Sequence, residues 1–310
     1  MSAHTDNLTS VHAMPAPGAA AEATRQTGLA RLEAFLPRAG RDYARRRNYD
    51  FGPENRANVS QLSPYLRHRL LTETEVLRAV LARHPGGDAA KFVEEVFWRT
   101  YFKGWLQRRP GLWQRYRADV DELVTLLDDD AGLRERYDEA VDGRTGIECF
   151  DAWACELLET GYLHNHARMW FASIWVFTLG LPWQLGADFF YRHLLDGDPA
   201  SNTLGWRWVA GLHTRGKTYL ARASNIAKYT GGRFPPARGL AGSAPALTES
   251  AEFPLRPLAA TRPAALAGLR AGLLLTEEDG HPESLLPGWQ PGALVAALAT
   301  DARSPLPAGR

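Results

Sequence analysis

Phe92-Val93-Glu94-Glu95-Val96-Phe97-Trp98-Arg99-Thr100-Tyr101-Phe102 is the run whose periodicity decides the class of fold. It contains no glycine or proline. At 100° per residue, Phe92, Glu95, Arg99 and Phe102 fall within about 80° of arc, with Trp98 on the margin of that face. A carboxylate and a guanidinium therefore share a helix face with aromatic rings. Two readings follow from this segment alone: a core helix with an internal Glu95–Arg99 pair at i,i+4, or the wall of a binding cavity.

Moving outward, the helical period continues through residues 68–210 with almost no alternation of period two, and neither a GxGxxG nor a GxxxxGK[ST] run occurs. Breakers separate the segments at Pro85-Gly86-Gly87, Pro110-Gly111, Gly180-Leu181-Pro182 and Asp196-Gly197-Asp198-Pro199. An all-α core is expected. Toward the N-terminus, a stripe of Leu29, Leu32, Phe35 and Leu36 begins at about Gly28, so residues 1–27 read as a flexible tail and 28–234 as the helical domain. Beyond Pro235-Pro236 the composition shifts to proline and alanine. In this extension, residues 235–310, two apolar patches (Leu266 to Leu275 and Ala293 to Leu298) are expected to form helices docked on the core.

Bulk composition narrows the function classes. The chain has 310 residues, 45% of them hydrophobic and 23% charged, enough for a sizeable core. A formal net charge of +1 gives no argument for a polyanionic partner. Only Lys91, Lys103, Lys217 and Lys228 are lysines among 36 basic residues; the arginine excess suits bidentate phosphate recognition, although a GC-rich genome produces the same bias. Arg38, Arg41, Arg45, Arg46 and Arg47 cluster around Tyr43 and Tyr49, readable as a solvated helix face or as a phosphate site. Cys149 and Cys155, with no CxxC, exclude a zinc ribbon, a cysteine-ligated iron–sulfur cluster and a disulfide scaffold. No apolar run reaches the ~18 residues of a membrane span and the N-terminus has no apolar signal region, so a cytoplasmic location is expected.

Three further segments carry chemistry. In Thr160-Gly161-Tyr162-Leu163-His164-Asn165-His166-Ala167-Arg168-Met169 the histidines stand at i,i+2 on different helix faces, a poor metal pair, whereas Asn165 and Arg168 at i,i+3 can face one pocket. Asp196-Gly197-Asp198-Pro199-Ala200-Ser201-Asn202-Thr203-Leu204-Gly205-Trp206-Arg207-Trp208 looks superficially like a calcium loop but lacks the EF-hand spacing and its twelfth-position glutamate. In Asn58-Val59-Ser60-Gln61-Leu62-Ser63-Pro64, Ser60 or Ser63 can cap a helix starting near Pro64.

Taken in order and register, these stretches resemble the flavin-binding helical domain of the DNA photolyase/cryptochrome superfamily. The likeness rests on Thr145-Gly146-x4-Asp151, on Thr160-Gly161-Tyr162-x-His164-Asn165-x2-Arg168-Met169, on Trp183, and on Asp196-Gly197-Asp198-x-Ala200-x-Asn202-x2-Gly205-Trp206-x-Trp208. Ahead of them, Ser60-x-Leu62-Ser63-Pro64-Tyr65-Leu66 is similar to the family's phosphate-binding turn. The resemblance implies FAD as cofactor. Ser60, Gln61, Leu62 and Ser63 would hold its diphosphate, with Tyr49 near the adenosine and Arg99 and Asn165 among the binding residues. Arg168 and Asp196 would form an ion pair beside the isoalloxazine, Asp198 would lie at its pyrimidine edge, and Asn202 would face N5. Glu95, Trp98 and Phe92 would form a wall for a flipped thymine dimer, with Met169 on the opposite side. Arg207, Arg215, Lys217 and Arg222 would hold DNA phosphates.

On this resemblance the chain is expected to be a light-driven lyase that splits cyclobutane pyrimidine dimers in DNA. The alternative is a cryptochrome-like photoreceptor that uses the same FAD site and acts on a partner protein through the C-terminal extension. The (6-4) branch carries histidines where Asn165 and Met169 stand, which favours cyclobutane chemistry. The chain also departs from the family. About forty residues precede the flavin domain, so no antenna domain or antenna chromophore is expected, and no metal. Trp206 and Trp183 match the inner members of the family's electron relay, but Asp130 stands at the outer one, leaving Trp170, Trp175 or Trp208 as substitutes. Glu148 replaces the usual proline of the Thr-Gly segment.

Overall fold

A computed structural model describes residues 23–258, 269–284, 286–297 and 304–306 of the chain. Thr24 starts the first helix, α1 (Arg25–Phe35), because its hydroxyl accepts from the Thr27 amide at 3.1 Å. The helical domain thus begins three residues before the expected boundary at Gly28; residues 1–22 of the expected tail lie outside the described part. The remaining helices are α2 (Arg41–Arg46), α3 (Ser63–Arg67), α4 (Glu73–Arg83), α5 (Ala90–Gln107), α6 (Pro110–Asp129), α7 (Ala131–Val141), α8 (Glu148–Thr160), α9 (Asn165–Ser173), α10 (Trp183–His193), α11 (Pro199–Val209) and α12 (Ala223–Tyr229).

Two apolar clusters divide the helices. The first joins α1 to α4 with the start of α5 through Leu32, Phe35, Tyr65, Val76, Val80 and Phe92. Thr72 and Glu75 form a capping box at the head of α4, and Arg25 reaches across from α1 to Glu75. The second cluster is larger and gathers Phe150, Trp153, Trp170, Phe171, Trp175 and Phe189 from α8 to α10 and the π-helical turn Ile174–Thr178 that continues α9. Offset stacks such as Phe150–Phe171, centroids 4.1 Å apart, hold it. Helix α11 packs against α5, α9 and α10. It can do so because Gly186 leaves room: a Cβ there would lie 2.3 Å from the Trp206 ring.

The C-terminal extension follows the core in extended form. The Leu247 amide donates to the Ala210 carbonyl at 3.0 Å, the Arg256 amide to the Arg108 carbonyl at 2.8 Å, and Phe253 packs on the small cluster of Leu106, Leu112 and Leu204. The two apolar patches are not docked helices in their described parts. Gly272–Leu275 (β1) and Ala293–Ala296 (β2) pair in parallel, Gly272 opposite Ala293, with Leu274 and Leu294 exposed; residues 266–268 and 298 lie outside the described part. Pairing across the two segments satisfies their backbone groups in place of helical bonds.

Candidate functional site

One cavity of about 600 Å3 opens between α5, α9 and α11, inside the range of roughly 300–1,000 Å3 typical of small-molecule and cofactor sites. Helix α5 lines it with Glu95, Trp98, Arg99, Tyr101 and Phe102. Helix α9 adds Asn165, Arg168 and Met169, and α11 adds Asn202, Trp206 and Trp208. Ser63 of α3 and the acidic loop with Asp196 and Asp198 complete the wall.

Local structure aims these groups. Gly161, in the left-handed region at φ 63°, ends α8, and His164 starts α9 by accepting from the His166 amide at 3.1 Å. Burial pushes the His164 ring below the ordinary histidine value, while its Nε2 donates to the Arg47 carbonyl at 2.9 Å, so it is a helix cap. With α9 so placed, Arg168 Nη2 lies 3.0 Å from Asp196 and its Nε donates to the Leu163 carbonyl at 3.0 Å. The ring of Tyr162 lies between Arg56 and Arg168, 4.6 and 5.7 Å from their guanidinium carbons.

Asp198 caps α11. Its Oδ1 accepts from the Ala200 and Ser201 amides at 3.0 and 2.8 Å, and its Oδ2 takes Arg99 at 2.9 Å. Burial alone would raise this carboxyl; Arg99, Lys103, the Ser201 amide and Arg67 overcome that and hold it below the usual aspartate value. Both its oxygens are engaged within the chain. Asp196 differs: its Oδ1 is buried without a hydrogen-bond partner, so this carboxylate has an acceptor to spare. Asn202 donates from Nδ2 to the Ala187 carbonyl at 2.7 Å, which directs its Oδ1 the opposite way. On the far wall Glu95 contacts Arg47, and burial pushes its carboxyl up against the pull of that arginine.

Several sequence expectations change. Glu95 and Arg99 do not pair; Glu95 takes Arg47, and Arg99 takes Asp198 and, at 3.1 Å, Glu73, because elements far apart in sequence bring stronger partners than the i+4 neighbour. Phe92 is not on the cavity wall: the start of α5 lies under α1 and α2, and the ring packs on Phe35 and Tyr43. Arg207 is not a phosphate clamp. It is buried and bound by both oxygens of Glu249 at 3.0 and 2.6 Å, since the extension folds back over it. Neither Ser60 nor Ser63 caps α3; Leu62 holds the cap position without a side-chain bond, and Ser60 Oγ accepts from the Leu62 amide at 3.4 Å.

Other candidates are dispersed. Ser63 reaches the cavity, Leu62 is buried in the first apolar cluster, and Gln61 sits in the left-handed region at φ 52°. Tyr49 stacks on Phe51 at 5.5 Å and meets Tyr229 at 5.1 Å, away from the lining residues. Arg215 and Lys217 are exposed in the loop after α11, next to cavity-lining Thr214, and Arg222 is exposed ahead of α12. Trp206 touches the cavity; Trp183 does not and instead stacks on Tyr116 at 5.6 Å. Asp130 caps α7 through the Leu133 amide. Sequence reasoning passed over Tyr101, His213 and the role of Arg47. The arginine cluster was the only signal for Arg47, because its partner lies 48 residues away.

Comparison with known proteins bears on this arrangement directly. Residues 92–232 match the family described as FAD binding domain of DNA photolyase. This region is similar to the FAD-binding domain of photolyases and cryptochromes. A deoxyribodipyrimidine photo-lyase of Thermus thermophilus is 36% identical over 200 residues, 64% of this chain and 44% of the relative. The crystal structure of a class III photolyase from Agrobacterium tumefaciens has a TM-score of 0.55 at 27% identity, covering 67% of this chain and 43% of that one. A Synechocystis cryptochrome scores 0.56 at 26% identity, with 66% and 43% covered. The chain thus spans less than half the length of these relatives. Photolyase-type sites hold FAD, and the residues present fit it: a cavity of suitable size, an unpartnered Asp196 oxygen, and an amide fixed at Asn202.

Proposed function

We propose that this chain binds FAD in the α5–α9–α11 cavity and uses it for light-driven splitting of cyclobutane pyrimidine dimers in DNA. The observation that carries the reading is the juxtaposition of two walls in one cavity. Asn202, the Arg168–Asp196 pair and Met169 form one, and Glu95 and Trp98 on α5 form the other.

When bound, FAD supplies light-driven one-electron transfer, a chemistry no side chain here provides. The chain binds and orients. Asn202 Oδ1, left over by the bond to Ala187, is an acceptor for a ring N–H. Asp196 Oδ1 accepts a second polar hydrogen, while Arg168 balances its charge and fixes its direction. Ser60, Gln61, Leu62 and Ser63 at the head of α3, of which Ser63 reaches the cavity, would hold the diphosphate, with Arg99 and Asn165 bordering the cavity. Tyr49 is not among the residues that line the cavity; its ring packs on Phe51 and Tyr229.

For the substrate, Trp98 offers an exposed ring face for stacking and Met169 a soft apolar contact opposite. Glu95, its carboxyl favoured in the protonated form by burial, can donate a hydrogen bond to a pyrimidine carbonyl and keep that proton in place as charge develops. Arg215, Lys217 and Arg222 would be exposed cations for DNA phosphates, and Trp206 at the cavity with Trp183 behind it would be the inner residues of an electron path to the flavin site.

The test is a dimer-containing oligonucleotide with the reduced protein under blue light: thymine absorbance in the ultraviolet should return, and Glu95→Ala should lower the yield while FAD content is unchanged. Absence of any return with a demonstrably reduced, FAD-loaded protein overturns the repair reading and leaves the photoreceptor reading, since the likeness to a cryptochrome structure equals that to a photolyase structure.

A further inference from the structure

The C-terminal extension returns to the core at an acidic turn, Thr276-Glu277-Glu278-Asp279-Gly280, and lands on cations. Glu278 lies 2.8 Å from Arg67 and 2.6 Å from Lys103; Glu277 is 3.9 Å from Arg67, and Asp279 is 3.7 Å from Arg69. Two bonds fix the register: the Gly280 amide donates to the His68 carbonyl at 2.8 Å, and His68 Nδ1 donates to the Glu277 carbonyl at 2.8 Å. The turn is also braced internally, since Asp279 accepts from the Thr276 amide and hydroxyl at 3.0 and 2.8 Å.

The charges show what this contact does. Arg67, Arg69, Arg99 and Lys103 form one patch, and the core's own acids against them are Asp198 and Glu73. That leaves a surplus of two positive charges beside the cavity, whose wall includes Arg99 and Asp198. The three carboxylates of the turn reverse the sign to a surplus of one negative charge. Three acids on consecutive residues engage cations from two separate elements, which is the pattern presented by a strand of closely spaced phosphodiesters; one small anion satisfies only part of it.

We propose that the acidic turn is an internal stand-in for nucleic-acid phosphates: it covers a cationic strand-binding patch at the rim of the cavity, and its undocking opens that patch. This goes beyond the flavin reading and does not depend on it.

Gly280 allows the idea to be separated from bulk charge. A Cβ at this position would meet the His68 carbonyl oxygen at 2.6 Å and Leu70 at 3.1 Å, so Gly280→Val displaces the turn and leaves the net charge unchanged. The probe is an undamaged, fluorescein-labelled single-stranded oligonucleotide, titrated in the dark by anisotropy at several salt concentrations. Gly280→Val and the double variant Glu277→Gln/Glu278→Gln should each bind about tenfold tighter at low salt. The salt slope should steepen by about 2 in Gly280→Val, three uncovered cations at about 0.7 each, and by about 1.4 in the double variant, where Asp279 stays on Arg69. Asp121→Asn/Glu122→Gln, exposed on α6, serves as the bulk-charge control. Wild-type affinity in Gly280→Val, or a gain in the control as large as in the turn double variant, overturns the proposal. Because neither flavin, lesion nor light is involved, that failure leaves the repair reading untouched.

Discussion

Helix α5 and the α8–α10 core are both rich in aromatic residues, yet they use them in opposite ways. Phe150, Trp153, Trp170, Phe171, Trp175 and Phe189 are all at or below 1% exposure, locked in stacks that leave no room for a ligand. On α5, Phe97, Trp98 and Tyr101 are each about half exposed, and Trp98 and Tyr101 border a cavity that also holds buried charge. Leaving a contiguous set of rings in water forgoes burial energy, and such patches on folded domains commonly mark binding surfaces. Aromatic content alone therefore separates nothing. What distinguishes wall from core is whether the ring has a protein partner on both faces.

The comparison breaks first on stability. Phe171→Ala should cost about 3–5 kcal/mol in urea denaturation, because a ring packed against Phe150, Trp175 and Phe190 leaves a cavity. Trp98→Ala should cost less than about 1 kcal/mol. Equal costs for the two would mean that α5 is ordinary core. The next effect concerns the cofactor. Arg168→Ala removes the partner of Asp196 and should weaken FAD binding by about tenfold or more, read from the flavin-to-protein absorbance ratio after gel filtration.

Two smaller effects sharpen the electrostatic half of the contrast. Burial, then His164 and Arg47, pushes His166 down to about 4. Its neutral form is thus favoured by folding, a contribution present above about pH 6.5 and lost as pH falls toward 4. His166→Phe should flatten that acid limb by on the order of 1 kcal/mol in denaturation curves run across the window. Glu95 has the opposite sign. Its raised carboxyl favours the protonated fold, so its contribution is present below the ordinary glutamate range and lost as pH rises through the folded value. Glu95→Gln should remove this slope, worth a few tenths of a kcal/mol for a half-buried side chain.

Local features around the cavity follow from short-range patterns. Asn165 and Arg168 share a face at i,i+3, Asp198-Pro199 opens a helix, and Thr160-Gly161 closes one. The errors have a common origin. Phe92 lies on the same helical stripe as Glu95 and Arg99, and only the arrival of α1 and α2 over that end of α5 turns it into core. Arg207 has the composition of a DNA contact until Glu249, 42 residues later, folds back onto it. The short apolar runs of the extension carry no periodicity of their own, so pairing with a distant run decides that they are strands.

What the order of residues determined by itself was the helical class, the breaks between the helices, and the chemical types on each face, since these depend on neighbours within about four positions. Which face became wall and which became core, which carboxylate kept a spare acceptor, and which arginine was neutralised were decided only when remote segments met. Burial and ion pairing depend on distance in space, and chain position carries no direct record of that.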